Sequence, residues 1–224
     1  MTFDPTQLTV LPATSEPFEL IHADDDFVVV YKPTKLLTVP GRHPDNNDCL
    51  VSRVQKQFPT AVVVHRLDYD TSGLVILPLN KPALSNISKQ FQARTVHKQY
   101  TAIVDGIIKT DSDCIDMPIA KDPENPRCYK VCFESGKVSV TNFEVLERDL
   151  EHNKTRVLLK PVTGRSHQLR LHMLAMGHVI LGDEFYADEA RFKASSRLLL
   201  HSNFIEFSHP KTDKLIQFKF DVPF

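Results

Sequence analysis

The sequence predicts an α+β protein with a mixed, mainly antiparallel sheet, and three observations support this class. The predicted strands cluster along the chain and do not alternate strictly with helices, as they would in a parallel α/β fold. The 224 residues are 42% hydrophobic and 25% charged, which is ordinary for a globular protein and excludes disordered, collagen-like and coiled-coil classes. The chain contains neither an internal repeat nor a low-complexity linker.

The first half of the chain follows an irregular N-terminal segment. Residues 1–17 are rich in Thr and Pro and lack periodicity, so we expect a tail or strap before a domain at 18–224. Asp48 is expected to cap a helix that extends to about residue 58, and Asn80 a second helix with Pro82 in its first turn. Runs of β-branched and apolar residues predict strands at 27–31, 61–67, 74–79 and 100–104.

The second half contains two predicted helices among further strands. A helix is expected at 166–176, with Gly177 in the position favoured just after a helix end, and a short helix at 188–194. The apolar patterns predict strands at 138–146, 156–160, 198–207 and 215–220.

Charge is distributed unevenly along the chain. The net charge is −1, and at face value this near-neutral balance argues against a partner as acidic as nucleic acid. However, the first 30 residues carry six acidic and no basic side chains, so the rest of the chain carries +5. The segments 53–109 and 154–182 are enriched in basic residues. They are either solvated faces or a local footprint for a polyanion.

The sequence predicts neither a membrane span nor a secretory signal. Unbroken apolar runs such as 61–64 and 74–77 have four residues, whereas a span needs roughly 20. The first twenty residues contain no Lys or Arg and no apolar core, unlike a signal peptide. We therefore expect a cytoplasmic protein. The four cysteines form no CxxC pair, which favours reduced thiols over disulfides or a metal site.

The segment that can carry chemistry is His65-Arg66-Leu67-Asp68-Tyr69-Asp70-Thr71-Ser72-Gly73. On a strand, the two-residue period would place Arg66 and Asp68 on one face. A guanidinium beside a carboxylate lowers the pKa of the acid and keeps it ionised. Taken alone, the pattern is more often a structural ion pair or an aspartate that caps a turn.

Four motifs in the same order resemble those of the RluA-type pseudouridine synthases, which isomerise uridine in RNA to its C-glycoside. The segment 65–73 resembles the catalytic HRLDxxTSG motif, and Lys98-Gln99-Tyr100 resembles the segment that bears the active-site tyrosine. Residues 164–173 resemble the basic GRxHQLRxH motif, and 177–183 the turn and strand after it. The resemblance runs from about residue 18 to 210. Val179 stands where the family usually has proline.

This resemblance implies a pseudouridine synthase fold at 18–224, with a bent mixed sheet, flanking helices, a central cleft and no S4 module. It implies an isomerase without cofactor or metal, because the reaction breaks the N-glycosidic bond, turns the base and joins C5 to the sugar without redox change. Asp68, Tyr100 and Arg165 are then the expected catalytic residues.

Each catalytic residue has an implied role. Asp68 would attack the uracil ring or the sugar C1′, or stabilise positive charge there on the way to a glycal. Arg165 would supply the counter-charge that keeps Asp68 ionised, or bind phosphate, or do both. Tyr100 would stack on the base and take or relay a proton from the sugar.

The resemblance also implies structured RNA as partner. Arg66 would fill the gap left when the target uridine leaves the stack. The other residues expected to contact RNA are His65, Lys98, Lys160, His167, Arg170 and His172. His167 and His172 are five positions apart, which is awkward for one metal on a helix, so they are interpreted as hydrogen-bonded or RNA-facing.

Within the family, three features are most similar to members that act on both a 23S rRNA stem-loop and tRNA anticodon stem-loops. They are the turn Val39-Pro40-Gly41-Arg42, the pair Tyr186-Ala187 and the absence of an S4 module. We expect such an enzyme to act as a monomer.

Three other classes of protein share parts of the pattern. Asp70-Thr71-Ser72-Gly73 resembles an aspartic-protease loop, but that signature has one residue between Asp and Gly. A glycosidase could use Asp68 and Asp70 as its carboxylate pair. An RNA-binding protein without activity is the third alternative, although Asp68, Tyr100 and Arg165 are all present.

Overall fold

The computed structural model describes residues 9–224. Over these residues the chain forms eleven strands and four helices. In chain order they are β1 (Glu19–Ala23), β2 (Phe27–Lys32), α1 (Leu50–Val54), β3 (Ser72–Pro78), α2 (Lys81–Ala93), β4 (His97–Asp105), β5 (Ser112–Asp116), β6 (Ile119–Lys121), β7 (Tyr129–Val131), β8 (Val140–Asp149), β9 (Lys154–Pro161), α3 (Gln168–Ala175), α4 (Glu189–Lys193), β10 (Leu200–Ser208) and β11 (Leu215–Lys219). None of these helices combines the length and apolar character that crossing a bilayer requires.

The chain divides into two compact units, and neither is continuous in sequence. Unit 1 contains the described residues up to Val96 together with Ile205–Phe220. Unit 2 contains His97–Phe204 and Asp221–Phe224. Strand β10 therefore contributes residues to both units.

Unit 1 is built on antiparallel strands. β2 pairs with β1 on one side and with β3 on the other, and β11 pairs with β10. All six residues of β2, FVVVYK, are buried. A run of consecutive apolar residues such as Phe27–Val30 is typical of a strand that is covered on both faces. The core of the unit contains Phe27, Val29, Leu74, Ile76, Ile87, Val96, Ile205 and Phe207.

Helix α2 begins where the sequence predicts. Asn80 has an extended backbone, and its side-chain oxygen accepts a hydrogen bond from the Ala83 amide at 2.8 Å. Replacing such a cap by alanine typically costs about 1 kcal/mol. Ile87, one turn further along, is fully buried in the core of unit 1.

Unit 2 contains a sheet in which β4, β9, β8 and β5 pair antiparallel in that order. β6 and β7 form a separate hairpin. Helix α3 buries Leu169 and Met173 in the core, and Gly177 follows the helix end with φ +83°. Gly182 also has positive φ, and a Cβ there would lie 1.9 Å from the Arg197 carbonyl oxygen. No side chain fits at that position.

The predicted α+β class is confirmed, but two predicted elements are wrong. Residues 61–67 form no strand, although they are rich in valine. The helix predicted for 48–58 is limited to α1, which begins after Cys49. Asp48 does not cap it, because its carboxylate binds the Arg53 guanidinium at 2.7 Å. The strands β1, β5, β6 and β7 were not predicted.

The described part of the predicted tail, residues 9–17, contains no helix or strand. Carbonyl groups of this segment accept hydrogen bonds from side chains in the rest of unit 1. Arg53 donates to the Thr14 carbonyl at 2.6 Å, and the Tyr69 hydroxyl donates to the Pro12 carbonyl at 2.6 Å. The first eight residues of the predicted tail lie outside the described part of the chain.

Candidate active site

The Asp68 loop, defined as residues 65–71, leads directly into β3 and is held by side chains. The Thr38 hydroxyl accepts a hydrogen bond from the Leu67 amide at 3.1 Å and donates to the Leu67 carbonyl at 2.9 Å. The Thr71 amide donates to the Asp68 carbonyl at 3.2 Å and closes a turn. The backbone is therefore fixed on both sides of the half-buried Asp68.

A buried lysine supports this loop. Lys32 is fully buried, and its ammonium group donates to the carbonyl oxygens of Pro33 at 2.9 Å, Leu36 at 2.7 Å and Tyr69 at 3.2 Å. A buried charge is costly unless hydrogen bonds compensate it. These bonds join the chain after β2 to the residue that follows Asp68. The sequence did not reveal this role, because a lysine at the end of an apolar strand usually marks the exit to solvent.

His65 has a structural position in the same loop. Its Nε2 accepts a hydrogen bond from the Ile76 amide at 2.9 Å, which requires that Nε2 carry no proton. Its ring stacks on Phe91 with a centroid distance of 4.9 Å. The ring thus links the loop to β3 and α2, which gives His65 a structural role, and its expected contact with RNA stays a prediction.

Arg66 and Asp68 differ in exposure. Arg66 is exposed, and Asp68 is half-buried. The strand geometry that predicted a shared face for these two side chains does not apply, because this segment is irregular. Exposure of Arg66 agrees with the predicted contact to RNA.

In unit 2, Lys98 and Tyr100 lie on β4. Residues two apart on a strand project from the same face, and Tyr100 pairs with Leu159 of β9. The Lys98 Nζ lies 3.8 Å from the position that a Cβ on Gly164 would occupy. The structure thus brings the Lys98 side chain to the turn that precedes Arg165. Burial lowers the pKa of the Lys98 ammonium group.

Arg165 itself is exposed, and its backbone is fixed by a glutamine that the sequence motif contains but that we did not single out. The Gln168 side-chain oxygen accepts from the Arg165 amide at 3.0 Å and from the Thr163 hydroxyl at 2.7 Å. The Gln168 side-chain nitrogen donates to the Val140 carbonyl at 3.0 Å. The Arg165 Nε donates to the Val138 carbonyl at 3.2 Å. These bonds join the Arg165 turn to the start of β8.

Arg170 does not face RNA, and this prediction is wrong. Its side chain is 1% exposed and binds Asp183 through two hydrogen bonds, Nε to Oδ2 at 2.7 Å and Nη2 to Oδ1 at 2.5 Å. Its guanidinium also lies 5.2 Å from the ring centroid of Phe185 and 5.1 Å from that of Tyr186. A buried guanidinium that binds a carboxylate and packs against two aromatic rings stabilises the fold.

His172 is also buried, and both of its ring nitrogens have partners within the protein. Its Nδ1 lies 3.0 Å from the Thr141 hydroxyl, and its Nε2 lies 3.0 Å from the Met117 carbonyl oxygen. Because a carbonyl can only accept, Nε2 carries a proton. Burial lowers the pKa of His172. Of the two interpretations left open, the hydrogen-bonded one is confirmed for this residue.

His167 and Lys160 also have protein partners. Tyr186 accepts at its hydroxyl oxygen from the Tyr129 amide at 3.0 Å, and His167 Nδ1 lies 2.7 Å from the same oxygen. Burial raises the pKa of the Tyr186 hydroxyl, so the hydroxyl keeps its proton. Lys160 is half-buried and its ammonium lies 2.9 Å from a Glu144 carboxylate oxygen.

Among residues 9–224, one group of side chains has a spacing compatible with a metal ion, and it lies far along the chain from these motifs. The ligand atoms of Asp24, Asp26 and His209 are within 4.8 Å of one another. Each acid is already engaged outside the group, since Asp24 accepts from the Phe27 amide at 3.0 Å and Asp26 accepts from the Asn80 side chain at 2.9 Å. The group therefore has structural partners.

The structure therefore places the predicted site residues in two rigid settings. Arg66 and Asp68 belong to the loop of unit 1 that Lys32 and Thr38 hold. Lys98, Tyr100 and Arg165 belong to unit 2, and Lys98 reaches the Arg165 turn. A carboxylate in a fixed loop can act as a covalent catalyst, and exposed cations can bind a polyanion.

A solved structure with a similar fold defines the class of protein. The chain matches the human protein named RNA pseudouridylate synthase domain containing 1 with a TM-score of 0.81 and 29% sequence identity, over 95% of this chain and 86% of that one. The fold is thus that of an RNA pseudouridine synthase domain.

Sequence comparison gives the family. The model of the RNA pseudouridylate synthase family matches residues 26–175. The chain is 49% identical to a Vibrio vulnificus protein named dual-specificity RNA pseudouridine synthase RluA, over 92% of this chain and 83% of that protein. It is 43% identical to the protein of the same name from Escherichia coli K12, over 92% and 93%. The chain belongs to the RNA pseudouridylate synthase family, and it is an isomerase that converts uridine in RNA to pseudouridine.

Proposed function

We propose that this enzyme has dual specificity, modifying one uridine in a 23S rRNA stem-loop and one in tRNA anticodon stem-loops, with Asp68 as its covalent catalyst. The observation that carries the proposal is the fixed and half-buried Asp68 loop within the HRLDxxTSG motif. The names of the relatives from Vibrio vulnificus and Escherichia coli support the dual specificity.

The reaction is an isomerisation, so the substrate and the product contain the same atoms, and one catalytic group assists the bond changes. The bond between N1 and C1′ breaks, the uracil turns, and C5 bonds to C1′. The proton that leaves C5 is balanced by the one that N1 gains. Asp68 assists by attacking C1′, by attacking the uracil ring, or by stabilising positive charge at the sugar before a glycal forms.

The other site residues have supporting roles in this proposal. Arg165 supplies a positive charge for the Asp68 carboxylate or an RNA phosphate, and Gln168 holds its backbone in place. Tyr100 stacks on the flipped base and relays a proton. Lys98 lies next to the Arg165 turn. Its ammonium group is partly desolvated and adds positive charge there.

The RNA footprint we propose is smaller than the sequence suggested. It retains the exposed Arg66, which fills the stack after base flipping, and Lys98, Lys160 and Arg165. It omits His65, Arg170 and His172, whose side chains are bound within the protein. His167 contributes only indirectly, through Tyr186.

The decisive experiment measures pseudouridine on transcripts of the two kinds of stem-loop, together with release of tritium from [5-³H]uridine. We expect Asp68→Asn to lower the rate by more than about 10³-fold, as loss of a covalent catalyst typically does. Asp70→Asn, in the same loop, is the matched control and should keep most of the activity. Full activity of Asp68→Asn, or absence of pseudouridine on both transcripts with the wild type, would refute the proposal.

We further propose that the enzyme works as a monomer in the cytoplasm, without a metal or cofactor. Sedimentation of the purified protein, cell fractionation, and assays after treatment with a chelator test these three statements separately.

A further inference from the structure

The loop between β7 and β8, residues 132–138, exposes an aromatic ring to solvent. Phe133 is 75% exposed and Val138 is 58% exposed. Nearby in the fold, Val162 is 39% exposed, and its amide donates to the carbonyl of Val140, two residues beyond the loop. Single exposed apolar residues are common, so exposure of Phe133 alone carries no conclusion.

The loop is rigid, which is unusual for a segment that leaves an aromatic ring uncovered. The Gly136 amide donates to the Cys132 carbonyl at 2.9 Å, and the amides of Cys132 and Lys137 donate to Pro118 and Ile119 at 2.8 and 2.9 Å. A Cβ on Gly136 would lie 2.2 Å from the Cys132 carbonyl oxygen, so the turn is as tight as glycine permits. A fixed loop loses little conformational entropy when Phe133 binds a partner.

The same loop is joined to the candidate catalytic arginine. The Val138 carbonyl accepts from Arg165 Nε at 3.2 Å, and the Val140 amide donates to the Thr163 hydroxyl at 2.8 Å. The exposed ring thus belongs to a segment bonded directly to the Arg165 turn. Whatever binds Arg165 in the reaction lies within reach of this segment.

The charges favour a polyanion as the occupant. Lys137, in the same loop as Phe133, and Arg165, bonded to the Val138 carbonyl, are both exposed, and Glu134 is the one acid in residues 132–138. Residues 154–182 contain no acid, and of their basic side chains Arg165 is exposed whereas Arg170 is buried against Asp183. An aromatic ring among cations is the arrangement with which proteins bind unpaired bases, because the ring stacks on the base while the cations meet phosphate.

We propose that Phe133 is an RNA-recognition residue that stacks on an unpaired base of the substrate loop, outside the base that is isomerised. Lys137 and Arg165 bind the phosphates on either side of that base, and Val138 contacts its edge. This inference rests on the proposed function only in the choice of the stem-loops used to test it. A uridine-rich single strand should bind the Phe133 ring as well.

The test compares Phe133→Ala with Phe133→Tyr and with Leu150→Ala. Leu150 is 76% exposed in the turn after β8, and the ten residues of β8 separate it from the Phe133 loop by about 30 Å. Base stacking on an aromatic ring is worth about 1–3 kcal/mol, so Phe133→Ala should weaken RNA binding about 5- to 150-fold. The loss should appear in KM and not in kcat. Phe133→Tyr and Leu150→Ala should stay within about 2-fold of the wild type.

A second readout identifies the base. Stem-loops with 2-aminopurine at single loop positions should show altered fluorescence at one position with the wild type, and this change should vanish with Phe133→Ala. Binding of the stem-loops and of a uridine-rich single strand is measured in the Asp68→Asn background, which prevents turnover.

Each outcome decides the inference. Unchanged affinity of Phe133→Ala for both RNAs overturns it, as does a wild-type dimer that Phe133→Ala dissociates, which would make the ring a contact between copies of the chain. If Phe133→Ala loses affinity for the single strand while the wild type modifies neither stem-loop, the inference stands and the proposed substrates are wrong.

Discussion

Lys32 in unit 1 and Arg170 in unit 2 are both buried cations, but the protein compensates them differently. Lys32 donates to three backbone carbonyls around the Asp68 loop. Arg170 binds one carboxylate through two parallel bonds and lies against two aromatic rings. An ammonium group has three donors that can diverge, whereas a guanidinium is a planar fork. Lys32 therefore joins separate pieces of backbone, and Arg170 holds the Asp183 carboxylate in one orientation.

The comparison predicts that Arg170 mainly determines stability. Arg170→Met leaves the buried Asp183 without its cation, and such a loss typically costs 3–5 kcal/mol. We expect the free energy of unfolding, measured by urea denaturation, to fall by about that amount. In Arg170→Met/Asp183→Asn the unpaired charge is absent, and the neutral amide oxygen can still accept from the Phe185 and Tyr186 amides. This double variant should recover part of the loss, and no recovery would contradict the ion-pair interpretation.

Lys32 should affect catalysis more than stability. Lys32→Met leaves the carbonyls of Pro33, Leu36 and Tyr69 without their donor, which we expect to lower the free energy of unfolding by about 2–3 kcal/mol. The larger effect should be on kcat, measured at a temperature at which circular dichroism shows a folded protein, because the Asp68 backbone loses its support. Lys35→Met is the matched control, since Lys35 is an exposed lysine of the same segment. Equal kcat for Lys32→Met and the wild type would show that the loop does not need this bond.

A third way to bury a basic group is to keep it neutral, as in His201. Burial and, secondarily, the nearby Arg197 lower the pKa of His201 to about 4. Between pH 6.5 and about 4 the unfolded chain binds a proton at this residue that the native state does not. The stabilising contribution is therefore complete above pH 6.5 and is lost as the pH falls toward 4.

The loss of unfolding free energy below pH 6.5 is about 1.36 kcal/mol per pH unit. At pH 5 it is about 2 kcal/mol. We expect the fall in unfolding free energy from pH 7 to pH 5 to be smaller in His201→Phe than in the wild type, with the exposed His152→Phe as control. An identical pH dependence in all three proteins would contradict the assignment.

The burial of Arg170 also shows why the sequence predicts the positions of some site residues and not of others. The HRLDxxTSG and GRxHQLRxH motifs single out Asp68 and the Arg165 turn, and the catalytic roles of both stay predictions. The sequence does not show that Arg170 is buried, because charge in a basic segment is ordinarily surface charge, and for His172 it leaves the hydrogen-bonded and the RNA-facing interpretation open. Their partners, Asp183 and the Met117 carbonyl, are 13 and 55 residues away in sequence. Only the folded chain brings such groups together.

The fold was predictable where the decisive interactions are local. The Asn80 cap and the Gly177 helix end are short-range features, and both were found. Residues 61–67 have the composition of a strand, but their hydrogen bonds go to Pro78 and Thr38, and no ladder forms. Strand β5, SDCID, lacks an apolar pattern and exists because β8 pairs with it. Pairing partners of this kind cannot be read from a local window.

The discontinuity of unit 1 has a consequence for the order of events during synthesis. Its core combines Phe27, Leu74 and Ile87 with Ile205 and Phe207, and the last two are made about 110 residues after Val96. At 5–20 residues per second the ribosome takes about 5–20 s to bridge that interval. During this time the nascent chain carries the Asp68 loop on a core that lacks Ile205 and Phe207, with exposed β2 and β3 side chains. The hydrogen bonds of Lys32 and Thr38 to the Asp68 loop can form early, but the core of the unit that carries this loop is complete only after Phe207 has been made, near the end of translation.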